Sequence, residues 1–212
     1  RAPTRSSNDR MGAPRGAGHA IWRGLTVVVP ARNHLARVVV IGATGSGKST
    51  LAGRLASRLG GDYVELDALH WESHWTEAAP HVFRERVERA TVGARWVVAG
   101  NYGRVRDLVW ARPDTVVWLD YPFPLVLTRL TVRTVRRAVT REVLWNGNRE
   151  YLWDHCRLWS EKSLFNWLFK TYWAYRREFP RLFALPAHAH LRIARLRRPR
   201  EADAWLASVE SG

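Results

Sequence analysis

The sequence predicts an α/β domain in which a parallel β-sheet is covered by helices on both faces. The first indication is that strand and helix signals alternate along the chain from residue 35 onward. The second is a glycine-rich motif, GATGSGKS, at residues 42–49, which matches G-x-x-x-x-G-K-[ST]. This motif follows an apolar, β-branched run and precedes a helical pattern, which is the order that a phosphate-binding loop requires.

The individual elements follow from periodicity and from the positions of proline. Leucines recur every four residues after the glycine motif, which predicts a helix there. Pro113 ends a helix, whereas Pro80 and Pro124 stand where a first helical turn tolerates proline. The predicted strands are 37–41, 63–66, 96–99, 115–119 and 191–196, and the predicted helices are 48–59, 80–92, 104–110 and 200–209, with a long helical region over 123–179.

The 212 residues divide into a tail and one domain. Residues 1–35 are rich in Arg, Gly, Ala, Pro and Ser and lack periodicity, so we expect a flexible or partly ordered N-terminal tail. The domain itself is predicted to occupy residues 36–212. Within it, residues 123–180 depart from the strand–helix rhythm and carry many arginines and aromatic residues, which predicts an inserted helical lid.

Composition restricts the partners and the compartment. The formal net charge of +15 favours anionic partners such as nucleotides or, non-specifically, nucleic acid, although arginines on solvated surfaces would explain it equally well. Cys156 is the only cysteine, which excludes an internal disulfide. No apolar run approaches the about 20 residues that span a bilayer. We therefore expect a cytoplasmic protein without membrane contact, of an oligomeric state that the sequence does not indicate.

Lys48 is the residue of the motif that points most directly to chemistry. Only three of the 34 Lys and Arg residues are lysines, so lysine was retained here against a strong preference for arginine. A compact ammonium fits between two phosphates, whereas a planar guanidinium does not. The loop amides and the helix N-terminus would bind phosphate, and Ser49 would contact Mg²⁺. The predicted nucleoside-triphosphate site comprises Gly42, Thr44, Gly45, Ser46, Gly47, Lys48, Ser49 and Thr50.

Arginines in the inserted region form a second phosphate-binding candidate. Arg129, Arg133, Arg136 and Arg137 recur at helical spacing, so they share one face and repel one another unless anions lie between them. We interpret this face, with Arg141, as a lid over the phosphates of ATP. A merely solvated helix face is the alternative. The aromatic residues nearby are interpreted as packing rather than as a platform for bases.

Five segments together resemble the DNA topology-modulation (FlaR-like) family, which is similar in turn to adenylate and shikimate kinases. They are the glycine motif, ELDALHW at 65–71, AGNY at 99–102, WLD at 118–120 and LWNGNRE at 144–150. The resemblance covers residues 36–210. It implies a P-loop nucleoside-triphosphate hydrolase fold of the nucleoside-monophosphate-kinase type, with a five-stranded parallel sheet of order 2-3-1-4-5. It also implies ATP and Mg²⁺ as cofactors.

Candidate acceptor residues follow the second and third predicted strands. Asp67 ends the second strand, and ligands of open α/β sheets bind beyond the carboxyl ends of strands. A carboxylate there can accept a proton from a hydroxyl or hold Mg²⁺ through water, although it can also cap a turn. The other acceptor candidates are His70, Trp71, Asn101, Tyr102 and Arg104, for which packing and turn formation are the alternatives.

One position departs from the family pattern. Where the resemblance leads us to expect Asp-Gly-Asn-Tyr, this chain has Ala99, so a carboxylate that would hold Mg²⁺ through water is missing. Either Asp67 supplies this carboxylate, or metal binding and turnover are weakened. Asp120 is a further acid, which we expect to cap the turn into Pro122. Arg198 and Pro199 match the loop that packs on adenine in related kinases, although a plain strand–helix turn is equally compatible.

These observations predict an ATP-dependent phosphotransferase, similar to nucleotide kinases, that acts on an unidentified small-molecule acceptor. The predicted catalytic residues are Lys48, Asp67, Arg133, Arg137 and Arg141. Catalysis would rest on positioning and on neutralising phosphate charge. Two alternatives stay open at this point: a regulatory NTPase associated with nucleic acid, and a nucleotide-binding protein with weak turnover.

Overall fold

A five-stranded, all-parallel sheet forms the centre of the computed structural model, which describes residues 35–149 and 163–209. The strand order is β2-β3-β1-β4-β5, which confirms the predicted order 2-3-1-4-5. Parallel neighbours must be joined by crossovers, and helices supply them here. The strands are β1 (Arg37–Gly42), β2 (Asp62–Glu65), β3 (Trp96–Ala99), β4 (Thr115–Leu119) and β5 (Arg192–Leu196).

Helices cover both faces of this sheet. The described helices are α1 (Lys48–Leu59), α2 (Leu66–His70), α3 (Pro80–Ala90), α4 (Arg106–Ala111), α5 (Phe123–Thr140), α6 (Leu164–Phe183) and α7 (Pro199–Ser208). Short 3₁₀ turns lie at Ser73–Trp75, Gly103–Val105, Trp145–Gly147 and Pro186–His188. Among the helices that the structure describes, none combines the length and the apolar character needed to cross a bilayer.

The central strand β1 divides the core into two clusters. Val38 and Val40 belong to a cluster with residues of α1, α5, α7 and the first half of α6, whereas Val39 and Ile41 belong to a second cluster with residues of α2, α3, α4 and the end of α6. All four side chains are fully buried, as expected for a strand with helices on both sides. The glycine motif thus follows the central strand of the sheet.

Several element ends differ from the sequence prediction by one or two residues, and three differences are larger or affect the site. Strand β2 ends at Glu65, so Asp67 lies in the short helix α2 rather than at the strand end. The region predicted as helical over 123–179 is interrupted, because α5 ends at Thr140 and residues 141–149 form a loop with one 3₁₀ turn. The predicted helix 104–110 begins as a 3₁₀ turn before α4. Outside the described residues lie residues 1–34 of the predicted tail, Cys156 and Glu150.

Asp120 does not cap the turn into Pro122, so that prediction was wrong. Its side chain is only 2% exposed and accepts hydrogen bonds from Arg176 Nε at 2.6 Å and from Arg195 Nη2 at 2.5 Å. The Arg195 guanidinium also lies 4.4 Å from the ring centroid of Trp118. The carboxylate therefore joins β4 to β5 and to α6.

Removing this buried carboxylate leaves two guanidinium groups without their counterion. Asp120→Ala is expected to lower the free energy of unfolding by about 3–5 kcal/mol, because uncompensated buried charge is costly. Asp203→Ala is the matched control, since its ion pair with Arg54 is exposed and is worth at most about 1 kcal/mol. Urea denaturation of both variants measures the difference, and equal losses would contradict the role assigned to Asp120.

Candidate active site

The glycine motif forms a loop between β1 and α1 that is wedged against α5. Gly45 adopts φ +81°, in the left-handed region that favours glycine. A Cβ atom at this position would lie 2.9 Å from both Leu130 Cβ and Val126 O of α5. The loop and α5 are therefore in direct backbone contact, which only glycine permits.

Asn101 clamps the start of the loop from the neighbouring strand. Its Oδ1 accepts the backbone N–H of Gly42 at 3.1 Å, and its Nδ2 donates to Gly42 O at 2.5 Å. We expected Asn101 to contact the acceptor, but both ends of its amide are occupied by the loop. The residue thus fixes the junction between β1 and the phosphate-binding loop.

Lys48 lies among the other charged side chains of the site. Its Nζ donates to Ala43 O at 3.1 Å. Burial lowers the pKa of the ammonium; the carboxylates of Asp67 and Glu65 raise it, and the Arg133 guanidinium lowers it. Residues from the loop, from the end of β2, from α2 and from α5 therefore lie within electrostatic reach of one another.

Glu65 is a site residue that the sequence analysis missed. Its Oε1 accepts a hydrogen bond from Ser49 Oγ at 3.0 Å, and its Oε2 accepts one from the hydroxyl of Tyr63. Burial is the largest effect on the Glu65 carboxyl and raises its pKa. In the sheet, Glu65 stands in register with Ala99, so a carboxylate lies beside the position where the family pattern led us to expect one. Its place at the end of β2 was the signal that could have identified it.

Ser49 and Glu65 together fit a site for Mg²⁺. Magnesium is commonly held by one or two protein oxygens, with phosphate oxygens and water completing an octahedron. No cluster of three or more His, Cys, Asp and Glu side chains within residues 35–149 and 163–209 could hold a metal without such help. Asp67, which we expected beside Ser49 as a metal ligand, instead accepts a hydrogen bond from Tyr102.

The acceptor candidates His70, Trp71 and Tyr102 form an aromatic cluster beside Asp67. Tyr102 donates its hydroxyl proton to Asp67 Oδ1 at 2.6 Å, and burial together with this carboxylate raises the pKa of the phenol. The His70 ring lies 4.6 Å from that of Tyr102 and 4.9 Å from that of Trp71. Burial lowers the pKa of His70, so its imidazole is neutral at pH 7.

Two other sets of predicted residues lie at the edges of the site. Arg104 is exposed and pairs with Glu77 at 3.0 Å, close to His70. Arg198 and Pro199 mark the junction of β5 and α7, where Arg198 is exposed and Pro199 is the first helical residue. Within the glycine loop, Ser46 is buried, Thr44 and Gly47 are half-buried, and Thr50 is exposed in the first turn of α1.

The arginines of α5 divide into two groups. Arg129 and Arg133 lie beside the phosphate-binding loop, because Arg129 Nη1 donates to Ser46 O at 3.3 Å and Arg133 influences Lys48. Arg136 and Arg137 lie further along the helix, at 3.3 Å and 3.6 Å from the carboxylate of Glu142. Arg141 is exposed and ends the helix in a left-handed conformation with φ +51°.

The fold and the site define a P-loop kinase of small molecules. The chain is 29% identical over 133 residues to the shikimate kinase of Synechococcus elongatus, a match that covers 52% of this chain and 70% of that protein. It is 32% identical over 144 residues to the shikimate kinase of Gloeobacter violaceus, covering 59% and 79% respectively. The chain therefore belongs to the shikimate kinase family.

Among solved structures, a gluconokinase from Sinorhizobium meliloti matches with a TM-score of 0.46 and 20% sequence identity. The match covers 83% of this chain and 94% of that protein. This likeness is too distant to bear on the substrate. No protein-family model matches the chain.

Proposed function

We propose that the protein is an ATP-dependent phosphotransferase that transfers the γ-phosphoryl group to a hydroxyl of a small molecule. The observation that carries this proposal is the arrangement around Lys48, where a phosphate-binding loop, two carboxylates and an arginine converge. Cations suit the transferring phosphoryl group, and a carboxylate suits the hydroxyl that attacks it. Membership of the shikimate kinase family supports the same reaction class.

On the nucleotide side, the loop amides and Lys48 bind the β- and γ-phosphates. Arg129 and Arg133, which lie on α5, neutralise the negative charge of these phosphates. Ser49 and Glu65 hold Mg²⁺, which supplies Lewis-acid stabilisation of the phosphate oxygens when it is bound. Arg137 and Arg141 lie at the end of α5. They contact the phosphates only if this end of the helix moves towards the phosphate-binding loop. Arg198 and Pro199 are assigned to the adenine side, at the junction of β5 and α7.

On the acceptor side, Asp67 is the proton acceptor. Tyr102 donates to Asp67 Oδ1, which fixes the rotation of the carboxylate, and we assign Oδ2 to the attacking hydroxyl. His70 and Trp71 supply the aromatic wall of the pocket, and Arg104 is available at its rim for an anionic substituent. The narrower resemblance to the DNA topology-modulation family stays a prediction.

A screen of acceptors tests the proposal. ADP release would be measured with hydroxy acids, sugars, nucleosides, nucleotides and duplex DNA, with ³¹P NMR to identify the phosphorylated product. We expect one small-molecule class to stimulate ADP release and to appear as a phosphate ester. Stimulation by DNA alone, with inorganic phosphate as the product, would instead support a nucleic-acid-dependent NTPase and contradict the proposal.

Lys48→Ala is expected to weaken ATP binding by about 10- to 100-fold, since a charged hydrogen bond contributes about 1.5–3 kcal/mol. Lys48→Arg should be similarly impaired, because a planar guanidinium does not fit the loop. Lys48→Ala should remain folded, because burial disfavours the ammonium that this substitution removes. Calorimetric titration with ATP checks the affinities, with Lys170→Ala on the exposed face of α6 as control. Equal affinity in all four proteins would rule out this phosphate site.

Glu65→Gln is expected to raise the Mg²⁺ concentration required for half-maximal transfer by about tenfold, because Mg²⁺ favours a charged carboxylate over a neutral amide. The amide can still accept the Ser49 hydrogen bond, so the fold should persist. A Mg²⁺ titration of transfer rates measures the shift, and Glu85→Gln, an exposed residue of α3, is the matched control. An unchanged Mg²⁺ requirement in folded Glu65→Gln would remove this residue from the metal site.

A further inference from the structure

Two loops of similar local structure meet beside the acceptor pocket. One runs from Trp71 to Glu77 after α2, and the other runs from Val143 to Arg149 after α5. Each is closed by an antiparallel bridge between its first and last residues and contains a 3₁₀ turn. In each turn the middle residue is left-handed, His74 with φ +60° and Asn146 with φ +54°.

Hydrogen bonds join these two loops along their whole length, and we call the pair the clasp. Asn146 Nδ2 donates to Trp71 O at 2.5 Å, and Ser73 Oγ donates to Asn146 O at 3.2 Å. Trp75 Nε1 donates to Arg149 O at 3.0 Å. The Trp75 and Trp145 rings also meet edge to face, with their centroids 6.4 Å apart. The partners in these three hydrogen bonds are 73–75 residues apart in the chain.

Asn148 is the central residue of the clasp. It is only 4% exposed, and both ends of its side-chain amide are used. Its Oδ1 accepts the backbone N–H of Trp75 at 2.9 Å, while its Nδ2 donates to Glu72 O at 2.8 Å. A buried amide with both ends satisfied specifies one arrangement of its neighbours, because any displacement leaves polar groups unpaired.

The clasp also holds backbone in a strained conformation. His74 and Trp75 follow one another with φ +60° and +55°, in the left-handed region that side chains with a Cβ rarely adopt. Such residues persist only where the surrounding contacts enforce them. Asn148 Oδ1 accepts the hydrogen bond from the Trp75 N–H, so Asn148 holds the strained turn directly.

The clasp completes a ring of contacts around the site. Helix α5 touches the phosphate-binding loop through Leu130 and Gly45, and the loop's neighbour Ser49 bonds to Glu65 at the end of β2. Strand β2 continues directly into α2, which carries Asp67. The clasp then joins the segment after α2 to the segment after α5. The arginine helix and the acceptor helix are thereby held to one another at their far ends.

We propose that Asn148 is a positioning residue for phosphoryl transfer, which acts by fixing α2 and its Asp67 relative to the arginines of α5. This inference rests on the proposed function. Asn148 acts through the backbone of Glu72 and Trp75 and not on the reacting groups. Transfer is sensitive to such positioning, since a misplacement of about 1 Å can cost about 100-fold in rate.

Kinetic analysis of Asn148→Ala and Asn148→Asp tests the proposal. We expect kcat/KM for the acceptor to fall by about tenfold or more in both variants, because the acceptor residues lose their fixed position. The affinity for ATP, titrated without acceptor, should match that of the wild type, since the phosphate-binding loop is untouched. Thr76→Ala is the control, because this exposed residue of the Trp71–Glu77 loop takes part in that loop's hydrogen bonds through its backbone.

Hydrogen exchange supplies a readout that does not depend on activity. In Asn148→Ala, amides of residues 70–77 should exchange faster, although the substitution lies in the other loop. Faster exchange with unchanged acceptor kinetics would overturn the positioning role and leave the clasp purely structural. If the wild type transfers no phosphoryl group at all, the proposed function fails, and exchange alone decides whether the two loops are coupled. Unchanged exchange in residues 70–77 would then overturn the clasp as well.

Discussion

The contact between the phosphate-binding loop and helix α5 is the constraint on which the rest of the site depends. Because Gly45 lacks a Cβ atom, the loop can pack against Val126 and Leu130 while its own backbone stays in the left-handed region. This contact brings Arg129 and Arg133 to the loop without any large motion of the helix. Asn101 secures the other side by bonding to Gly42.

Charge in the site is balanced locally although the whole chain is strongly basic. The chain carries a formal net charge of +15, yet Glu65 and Asp67 stand beside Lys48. These carboxylates offset part of the repulsion between Lys48 and Arg133 and part of the cost of burying the ammonium, and burial is the larger effect. The acids are also the groups that a metal ion and an attacking hydroxyl require. The net charge of the chain therefore does not reveal the acidic groups of this site, which only the arrangement of individual side chains shows.

Features encoded by neighbouring residues could be predicted from the sequence. The glycine motif located the loop and Lys48, and alternating apolar segments located all five strands to within one residue at each end. Features that depend on distant pairing could not be predicted. The hydrogen bond between Ser49 and Glu65 became visible only in the structure, and the partners of Asp120 lie 56 and 75 residues further along the chain.

The clasp illustrates the same limit. Its two loops overlap two of the family-like segments. The first loop begins at the last residue of ELDALHW, and the second contains most of LWNGNRE. Nothing in either segment indicates that Asn148 would bond to the backbone of Glu72 and Trp75. A side-chain amide can pair with almost any exposed backbone group, so the pairing is determined by tertiary structure. The family resemblance included the segment with Asn148, and only the structure shows what this residue contacts.

The division of the site into a nucleotide side and an acceptor side is tested most directly by Asp67→Asn. The substitution keeps the shape of the side chain and its contact with Tyr102 but removes the proton acceptor. Single-turnover transfer and equilibrium ATP binding would be measured on the same preparation. The account predicts that transfer falls by about 100-fold or more while ATP affinity stays at the wild-type level. Normal transfer in a folded Asp67→Asn variant would contradict it and leave Asp67 as a structural partner of Tyr102.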